Sequence, residues 1–225
     1  MGKESFKYEQ PFTLENGAVL PEIDIAYHTY GRLNADKSNV IWVCHALTAN
    51  SDVLDWWAGL FGDNDLFNPE DHFIICANNL GSCYGTTGPL SINSETGKPW
   101  YGTFPTITIR DMANTLELLK KELNIETIHK VIGSSQGGQI AQEWAIMFPG
   151  ITNNLILIAT NCVHSSWGIA FNESQRMAIK ADPSYGENTE NGGAAGLQVA
   201  RSIALLSYRN YATYDVSQRE RRKKT

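Results

Sequence analysis

Apolar and polar residues alternate in two different ways along the chain. Residues 12–29 show the short-range alternation of a half-exposed antiparallel sheet, as in EIDIAYHT, with an Asn-Gly turn at residues 15–17. Three later runs are apolar on both faces and a fourth follows them, starting at Asn39 (NVIWVCHAL), His72 (HFIICANNL), Lys130 (KVIGSS) and Asn153 (NNLILIAT). Strands buried on both faces are typical of parallel sheets covered by helices. We therefore predict a mostly parallel sheet.

Helical periodicity separates these strands. Between the second and third runs, apolar residues recur at spacings of four, three and four, at Met112, Leu116, Leu119 and Leu123. Thr108 and Asp111 stand at the spacing of a capping box, which predicts where this amphipathic helix begins. A second helix follows the third run, with Ile140, Trp144 and Met147 on one face, and Pro149 ends it. Alternating strands and helices predict an α/β fold flanked by helices.

The amino-acid composition of the chain changes after residue 169. The segment ADPSYGENTENGGAAG is rich in Gly, Asn and Glu, and GLQVARSIALLSYRNY after it looks helical. We expect two parts, a core at residues 1–165 and a partial helical lid at residues 166–225 that lies over the sheet.

Composition and charge exclude several classes of function. The formal net charge of −6 argues against a nucleic-acid partner, and the basic run RERRKK near the C-terminus lacks interleaved aromatic residues. No apolar run approaches the roughly 18 residues of a membrane span, and the opening MGKESFKYEQ is too polar for a signal peptide. The four cysteines form no CxxC pair. We expect a cytoplasmic protein with reduced cysteines, no metal site and no membrane partner.

One motif carries chemistry. In VIGSSQGGQ an apolar strand ends in G-x-S-x-G, residues 133–137, and turns at once into a helix, which is typical of a nucleophile elbow. Glycines at Gly133 and Gly137 let the strand and the helix approach, and we predict Ser135 as the nucleophile because it has glycine at both second neighbours. Ser134 is the rival nucleophile, and a plain Gly/Ser turn that caps a helix is the alternative interpretation.

Two further loops follow predicted strands. CHALT begins at Cys44, where folds of this type place a second oxyanion donor, and we predict the backbone amide of Leu47 for that role. His45 in the same loop has an alternative as a packed residue at the end of the strand. NNLGSCYGTTGP from Asn78 lacks the ending of a phosphate loop, so an active-site wall or a plain turn fits it better.

Together these segments resemble homoserine O-acetyltransferases of the α/β-hydrolase superfamily. CHALT, NNLGSCYGTTGP, FPTITIRDM, GSSQGGQ, WGIAFNESQRMAI and ARSIALLSYR occur in the order seen in that family, over nearly the whole chain. The resemblance implies an α/β-hydrolase fold with a helical lid. It also implies an acyl transfer in methionine biosynthesis, in which acetyl-CoA is a co-substrate, no cofactor is bound, and L-homoserine accepts the acetyl group.

The resemblance assigns roles to individual residues. It implies Ser135 as the nucleophile, the backbone amides of Leu47 and Gln136 as the oxyanion hole, and Arg201 and Tyr208 as the substrate-binding pair. A guanidinium suits the bidentate binding of an amino acid's carboxylate. The resemblance also suggests a homodimer formed through lid helices.

The catalytic acid and base of this family have no match in the chain. Downstream of Ser135 the sequence has one histidine, His164, which comes too early for the usual serine, acid, histidine order. We expect a chain truncated inside the lid, without the family's Asp, His and last strands. Two alternatives therefore stay open: a serine hydrolase or esterase on the same scaffold, and a catalytically dead remnant.

Overall fold

A computed structural model describes residues 2–222 of the chain. The chain divides into two compact units, Met1–Cys162 and Val163–Thr225. The boundary that we predict from the sequence, after residue 165, lies close to this division. The last two residues of the basic run RERRKK, 223 and 224, lie outside the described residues.

The order of elements follows the predicted alternation. The strands are β1 (Lys3–Tyr8), β2 (Phe12–Thr13), β3 (Val19–Leu20), β4 (Ile23–Tyr30), β5 (Val40–Cys44), β6 (Phe73–Ala77), β7 (Ile92–Asn93), β8 (Lys98–Pro99), β9 (Lys130–Ser134) and β10 (Leu155–Ile158). The helices are α1 (Val53–Trp56), α2 (Ile109–Glu122), α3 (Gln136–Met147), α4 (Ser166–Lys180), α5 (Ala194–Ser207) and α6 (Tyr211–Arg222).

Six of the strands form one mixed sheet in the order β1-β4-β6-β5-β9-β10. Strands β6, β5, β9 and β10 run parallel to one another, whereas β4 is antiparallel to both of its neighbours, β6 and β1. The predicted Asn-Gly turn joins β2 and β3, with Gly17 at φ 86°. The mostly parallel sheet predicted from the sequence is confirmed.

The sheet separates two apolar cores. Strand β5 is buried on both faces, and its residues alternate between the two sides. Trp42 faces helices α2 and α3, where its ring meets that of Trp144 edge to face, with 5.0 Å between the centroids. Ile41 and Val43 face the opposite core with Val53 of α1. Residues of β5 therefore anchor helices on both sides of the sheet.

Strand β10 departs from the prediction. The apolar run NNLILIAT predicts a strand that is buried on both faces. In the structure, however, Leu155, Leu157 and Ile158 are exposed. The reason is that β10 pairs with β9 alone and forms the edge of the described sheet.

Helix α2 begins at the predicted capping box. Thr108 Oγ1 accepts a hydrogen bond from the Asp111 N–H, and the Asp111 carboxylate accepts one from the Thr108 N–H. The other carboxylate oxygen accepts the N–H of Glu15 at 2.8 Å, although Asp111 is fully buried. Asp111 therefore joins the start of α2 to the β2–β3 turn.

Replacing Asp111 with alanine is expected to lower the free energy of unfolding by about 2 kcal/mol, because the backbone N–H groups of Thr108 and Glu15 both lose their acceptor. Urea unfolding of the variant measures the loss. Asp63→Ala is the matched control, since Asp63 is exposed, and we expect it to change stability by less than about 0.5 kcal/mol. Equal losses in the two variants would contradict the role of Asp111.

The second unit is helical, as predicted. Helix α5 packs on α4 through small residues, because Gly196, Ala200 and Ala204 are buried and a Cβ at Gly196 would lie 2.6 Å from the Ala178 carbonyl oxygen. The Gly196 N–H donates to the Asp182 carboxylate at 2.8 Å. The close approach of the two helices thus depends on a glycine.

Two findings concern the excluded classes of function. None of the helices within residues 2–222 is long and apolar enough to cross a bilayer. In the same residues, all four cysteines are free, with Cys44 and Cys76 buried in β5 and β6.

Candidate active site

Ser135 occupies a strained turn between β9 and α3. Its backbone has φ 52° and ψ −122°, a conformation that a residue with a side chain rarely adopts. Its N–H donates to the Ile158 carbonyl at 3.2 Å, and its carbonyl accepts the Gly138 N–H at 3.0 Å and the Thr160 hydroxyl at 2.7 Å. Neighbouring elements on both sides therefore hold the conformation predicted for a nucleophile elbow.

The glycines around Ser135 are required by close backbone contacts. A Cβ on Gly133 would overlap the Gly137 carbonyl oxygen, and a Cβ on Gly137 would overlap the carbonyl oxygen of Cys44. Gly138 is equally constrained, because a Cβ there would lie 2.5 Å from Cγ2 of Thr160. The predicted reason for small residues at the elbow matches these contacts.

The two serines of the elbow differ in exposure. Ser134 ends β9, pairs with Ile158 of β10 and is half-buried, whereas the next residue, Ser135, is exposed. No hydrogen-bond partner of Ser135 Oγ occurs among residues 2–222. Its hydroxyl is therefore accessible beside the first turn of α3, whose leading N–H groups lack helical acceptors.

The sheet brings the Leu47 loop, residues 45–51, to the same edge as the elbow. Cys44 pairs with Gly133 across the parallel strands β5 and β9, so Leu47 and Gln136 each lie three residues beyond this pair. The first turn of α3 also packs closely against the start of this loop, because a Cβ added at Gly137 would overlap the carbonyl oxygens of Cys44 and His45. These are the positions from which two backbone amides could stabilise an oxyanion on Ser135.

The amide of Leu47 is available for such a bond. Leu47 is exposed in the turn that the Ala49 N–H closes on the Ala46 carbonyl at 3.0 Å, and its own N–H has no acceptor within residues 2–222. Gln136 is the first residue of α3, so its N–H cannot have a partner inside the helix. The structure thus brings together Ser135, Gln136 and the Leu47 loop.

The predicted substrate-binding pair lies in the second unit. Arg201 and Tyr208 are both exposed, and Tyr208 follows the last residue of α5 in helical conformation. Seven residues correspond to about two helical turns, so the two side chains share one face of α5. This row borders the buried stripe formed by Ala200 and Ala204, and both of its side chains are exposed.

His45 is a buried residue with both ring nitrogens engaged. Its Nδ1 lies 2.8 Å from the Ala46 carbonyl oxygen, and its Nε2 accepts the Asn79 N–H at 3.1 Å. Burial lowers the pKa of this imidazole. The packed alternative for His45 is therefore the one that the structure favours, and its ring cannot take a proton from Ser135.

The glycine-rich loop after β6 packs against β4. The Thr86 hydroxyl accepts the Ala26 N–H at 3.0 Å, and the Thr87 hydroxyl accepts the Asp24 N–H at 2.8 Å. Both threonines are buried. The two threonines therefore fix this segment against the sheet, and its role as an active-site wall stays a prediction.

Sequence reasoning missed Thr160. This residue follows β10 at the same edge of the sheet, binds the Ser135 carbonyl and packs against Gly138. The position of Thr160 directly after a predicted parallel strand could have indicated it, because residues that follow neighbouring parallel strands meet at one edge of the sheet.

Comparisons with known proteins agree with this geometry. A family model for the alpha/beta hydrolase fold matches residues 39–201. Homoserine O-acetyltransferase of Cyclobacterium marinum is 46% identical over 224 residues, which cover 100% of this chain and 64% of that protein. The crystal structure of homoserine O-acetyltransferase from Bacillus anthracis has a TM-score of 0.87 at 32% identity and covers 96% of this chain and 62% of that one. Esterase E22 has a TM-score of 0.87 at 26% identity, with 97% and 64% covered. The chain spans slightly less than two thirds of each protein.

Proposed function

Because the chain belongs to the α/β-hydrolase fold family, whose model matches most of its length, we propose that Ser135 carries an acetyl group from acetyl-CoA to the hydroxyl of L-homoserine. The observation that carries this proposal is the 46% identity, over 100% of this chain, to the homoserine O-acetyltransferase of Cyclobacterium marinum. The exposed Ser135 in its strained turn is the group that such a transfer needs.

The proposed reaction has two acyl-transfer steps. Ser135 Oγ attacks the thioester carbonyl, and the carbon–sulfur bond breaks as CoA leaves with the proton lost by the serine. The homoserine hydroxyl then attacks the acetyl-serine ester, gives up its proton and releases Ser135. Both tetrahedral intermediates place negative charge beside the amides of Leu47 and Gln136, and one such donor contributes about 10²- to 10³-fold in rate.

The acceptor's carboxylate is assigned to Arg201. A guanidinium offers two parallel N–H donors that match the oxygens of a carboxylate. Tyr208 lies about 10 Å farther along α5 by the helical rise, so its hydroxyl contacts another part of the substrate. The exposure of both side chains supports a role toward a ligand.

The test of this proposal is homoserine-dependent release of CoA. Purified protein is mixed with acetyl-CoA, with and without L-homoserine, and free thiol and O-acetylhomoserine are measured together. We expect both products to appear in equal amounts when homoserine is present. Release of CoA without any acetylated amino acid would overturn the transferase.

A serine esterase is the second candidate, favoured by the TM-score of 0.87 to esterase E22. In an esterase, water replaces the amino-acid acceptor. The transferase therefore needs the proposed acceptor-binding residues, Arg201 and Tyr208, for its reaction, whereas the esterase does not.

Arg201→Ala separates the two candidates. We expect this change to raise the KM for L-homoserine about 10- to 100-fold, because it removes a charged bidentate contact, while hydrolysis of p-nitrophenyl acetate stays the same. Arg176→Ala is the matched control, since it also removes one exposed arginine, and with it one positive charge, from the second unit. A KM for homoserine that does not respond to Arg201→Ala would favour the esterase.

Three expectations accompany the proposed reaction. Acetyl-CoA acts as a co-substrate, so the purified protein should retain no bound cofactor. The reaction belongs to the cytoplasm, where we place the protein from its sequence. The homodimer implied by the resemblance stays a prediction, which analytical ultracentrifugation of the purified protein checks.

A further inference from the structure

His45 is a buried titratable group that the proposed reaction does not use. It follows β5 directly, is 1% exposed, and stands two residues before Leu47. Its ring is not assigned any contact with the substrate. Both ring nitrogens are nevertheless hydrogen-bonded, Nδ1 to the Ala46 carbonyl and Nε2 to the Asn79 N–H.

The hydrogen bonds of His45 determine which nitrogen carries the proton. The Ala46 carbonyl oxygen can only accept, so Nδ1 must donate to it. The Asn79 backbone N–H can only donate, so Nε2 must accept. Both bonds are satisfied only by a neutral ring with its proton on Nδ1. Burial lowers the pKa of the ring and favours this neutral form.

The acceptor of that proton belongs to the same peptide group as the Leu47 amide. The carbonyl of Ala46 and the N–H of Leu47 are linked by one planar trans peptide bond, so they point in opposite directions. The Ala46 carbonyl oxygen is held twice, by His45 Nδ1 at 2.8 Å and by the Ala49 N–H at 3.0 Å. Fixing the carbonyl therefore fixes the direction of the Leu47 N–H.

The far end of the loop is fixed separately. The Asn78 side chain accepts the Ser51 N–H at 2.9 Å and donates to the Ser51 hydroxyl at 2.8 Å. That hydroxyl lies 2.8 Å from His28 Nδ1 of β4. Consecutive residues after β6, Asn78 and Asn79, thus hold the two ends of the loop, and His45 supplies the contact nearest Leu47.

We propose that His45 is a positioning residue that orients the Leu47 amide toward the oxyanion through the Ala46 carbonyl. This inference rests on the proposed function in one respect, the assignment of Leu47 as an oxyanion donor. His45 itself touches no reacting atom. Its contribution is the direction of one peptide plane in a loop that is otherwise exposed at Leu47.

Two substitutions of His45 each keep one of the ring's two hydrogen bonds and remove the other. In His45→Asn the amide nitrogen stands near the position of Nδ1 and can donate to the Ala46 carbonyl, while the acceptor for Asn79 is lost. In His45→Gln the amide oxygen reaches the position of Nε2 and can accept from Asn79, while the donor to Ala46 is lost. Both variants lose one buried hydrogen bond, so a purely structural role affects them alike.

The first readout is the direction of the Leu47 N–H, measured as its residual dipolar coupling in the ¹⁵N-labelled 225-residue protein. We expect this coupling to change in His45→Gln and to be preserved in His45→Asn, with core strand couplings unchanged in both. The second readout is phosphonylation of Ser135 by a fluorophosphonate, followed by intact mass. We expect about a 10²-fold slower reaction in His45→Gln and less than about a tenfold loss in His45→Asn.

Equal effects in the two variants, or a Leu47 coupling that His45→Gln leaves unchanged, would overturn the proposal. The ring nitrogen shifts of the unaltered protein add a test that needs no variant, because a proton on Nε2 or a charged ring at neutral pH would also overturn it. Neither readout uses acetyl-CoA or homoserine. Failure of the transferase and failure of the His45 proposal are therefore distinguishable.

Discussion

Replacing Ser135 with alanine is expected to abolish both the acetylation of the protein by acetyl-CoA and the acyl transfer that proceeds through the acetyl-serine. The reason is that the variant keeps the elbow and both oxyanion amides but has no atom that can form the acyl intermediate. Intact mass after brief incubation with acetyl-CoA measures the first effect, and free CoA released with homoserine measures the second.

Ser134→Ala is the matched control for this experiment. It removes the same hydroxyl one residue earlier, at a half-buried position in β9 that pairs with Ile158. We expect it to keep acetylation at residue 135. Acetylation that persists in Ser135→Ala, or that disappears in both variants, would contradict the assignment of the nucleophile. An unaltered protein that never becomes acetylated would favour the catalytically dead alternative.

Replacing Gly137 with alanine is expected to lower the free energy of unfolding by about 3 kcal/mol or more, at the upper end of the range for overpacked sites. The added Cβ would overlap the Cys44 carbonyl oxygen and lie 2.7 Å from the carbonyl oxygen of His45. These atoms belong to the last residue of β5 and to the residue after it, and they cannot move without displacing a strand that is buried on both faces. Urea unfolding followed by tryptophan fluorescence measures the loss.

Gly186→Ala is the control for the backbone effect of the same substitution. No atom lies within 4 Å of a Cβ at Gly186. We expect that variant to be as stable as the unaltered protein, or slightly more stable, because alanine restricts the unfolded chain. If Gly137→Ala also costs less than about 1 kcal/mol, then α3 does not depend on close contact with β5.

The elbow could be predicted from the sequence because its causes are local. A strand that ends in G-x-S-x-G, followed at once by a helix, marks Ser135 as the strained residue. The capping box of α2 is local in the same sense, since Thr108 and Asp111 are three residues apart. The family resemblance then extended the prediction to Leu47, Gln136, Arg201 and Tyr208.

The exposure of β10 could not be predicted in this way. Its apolar run resembles those of β5 and β6, but β10 pairs with one neighbour where they pair with two. An apolar composition specifies a strand that can be buried, whereas its place in the sheet decides how much of it is covered.

The chain's own sequence determined strands β2 to β6, β9 and β10, the helices α2 and α3, and the strained serine, because hydrophobic periodicity, capping and small residues act over a few positions. The role of His45 was decided by the tertiary structure alone. Its tautomer depends on the Asn79 N–H, which lies 34 residues away in the chain. In the same way, Thr160 reaches the Ser135 carbonyl from 25 residues away. Hydrogen bonds between neighbouring strand ends form only when the sheet has assembled, so no local pattern specifies them.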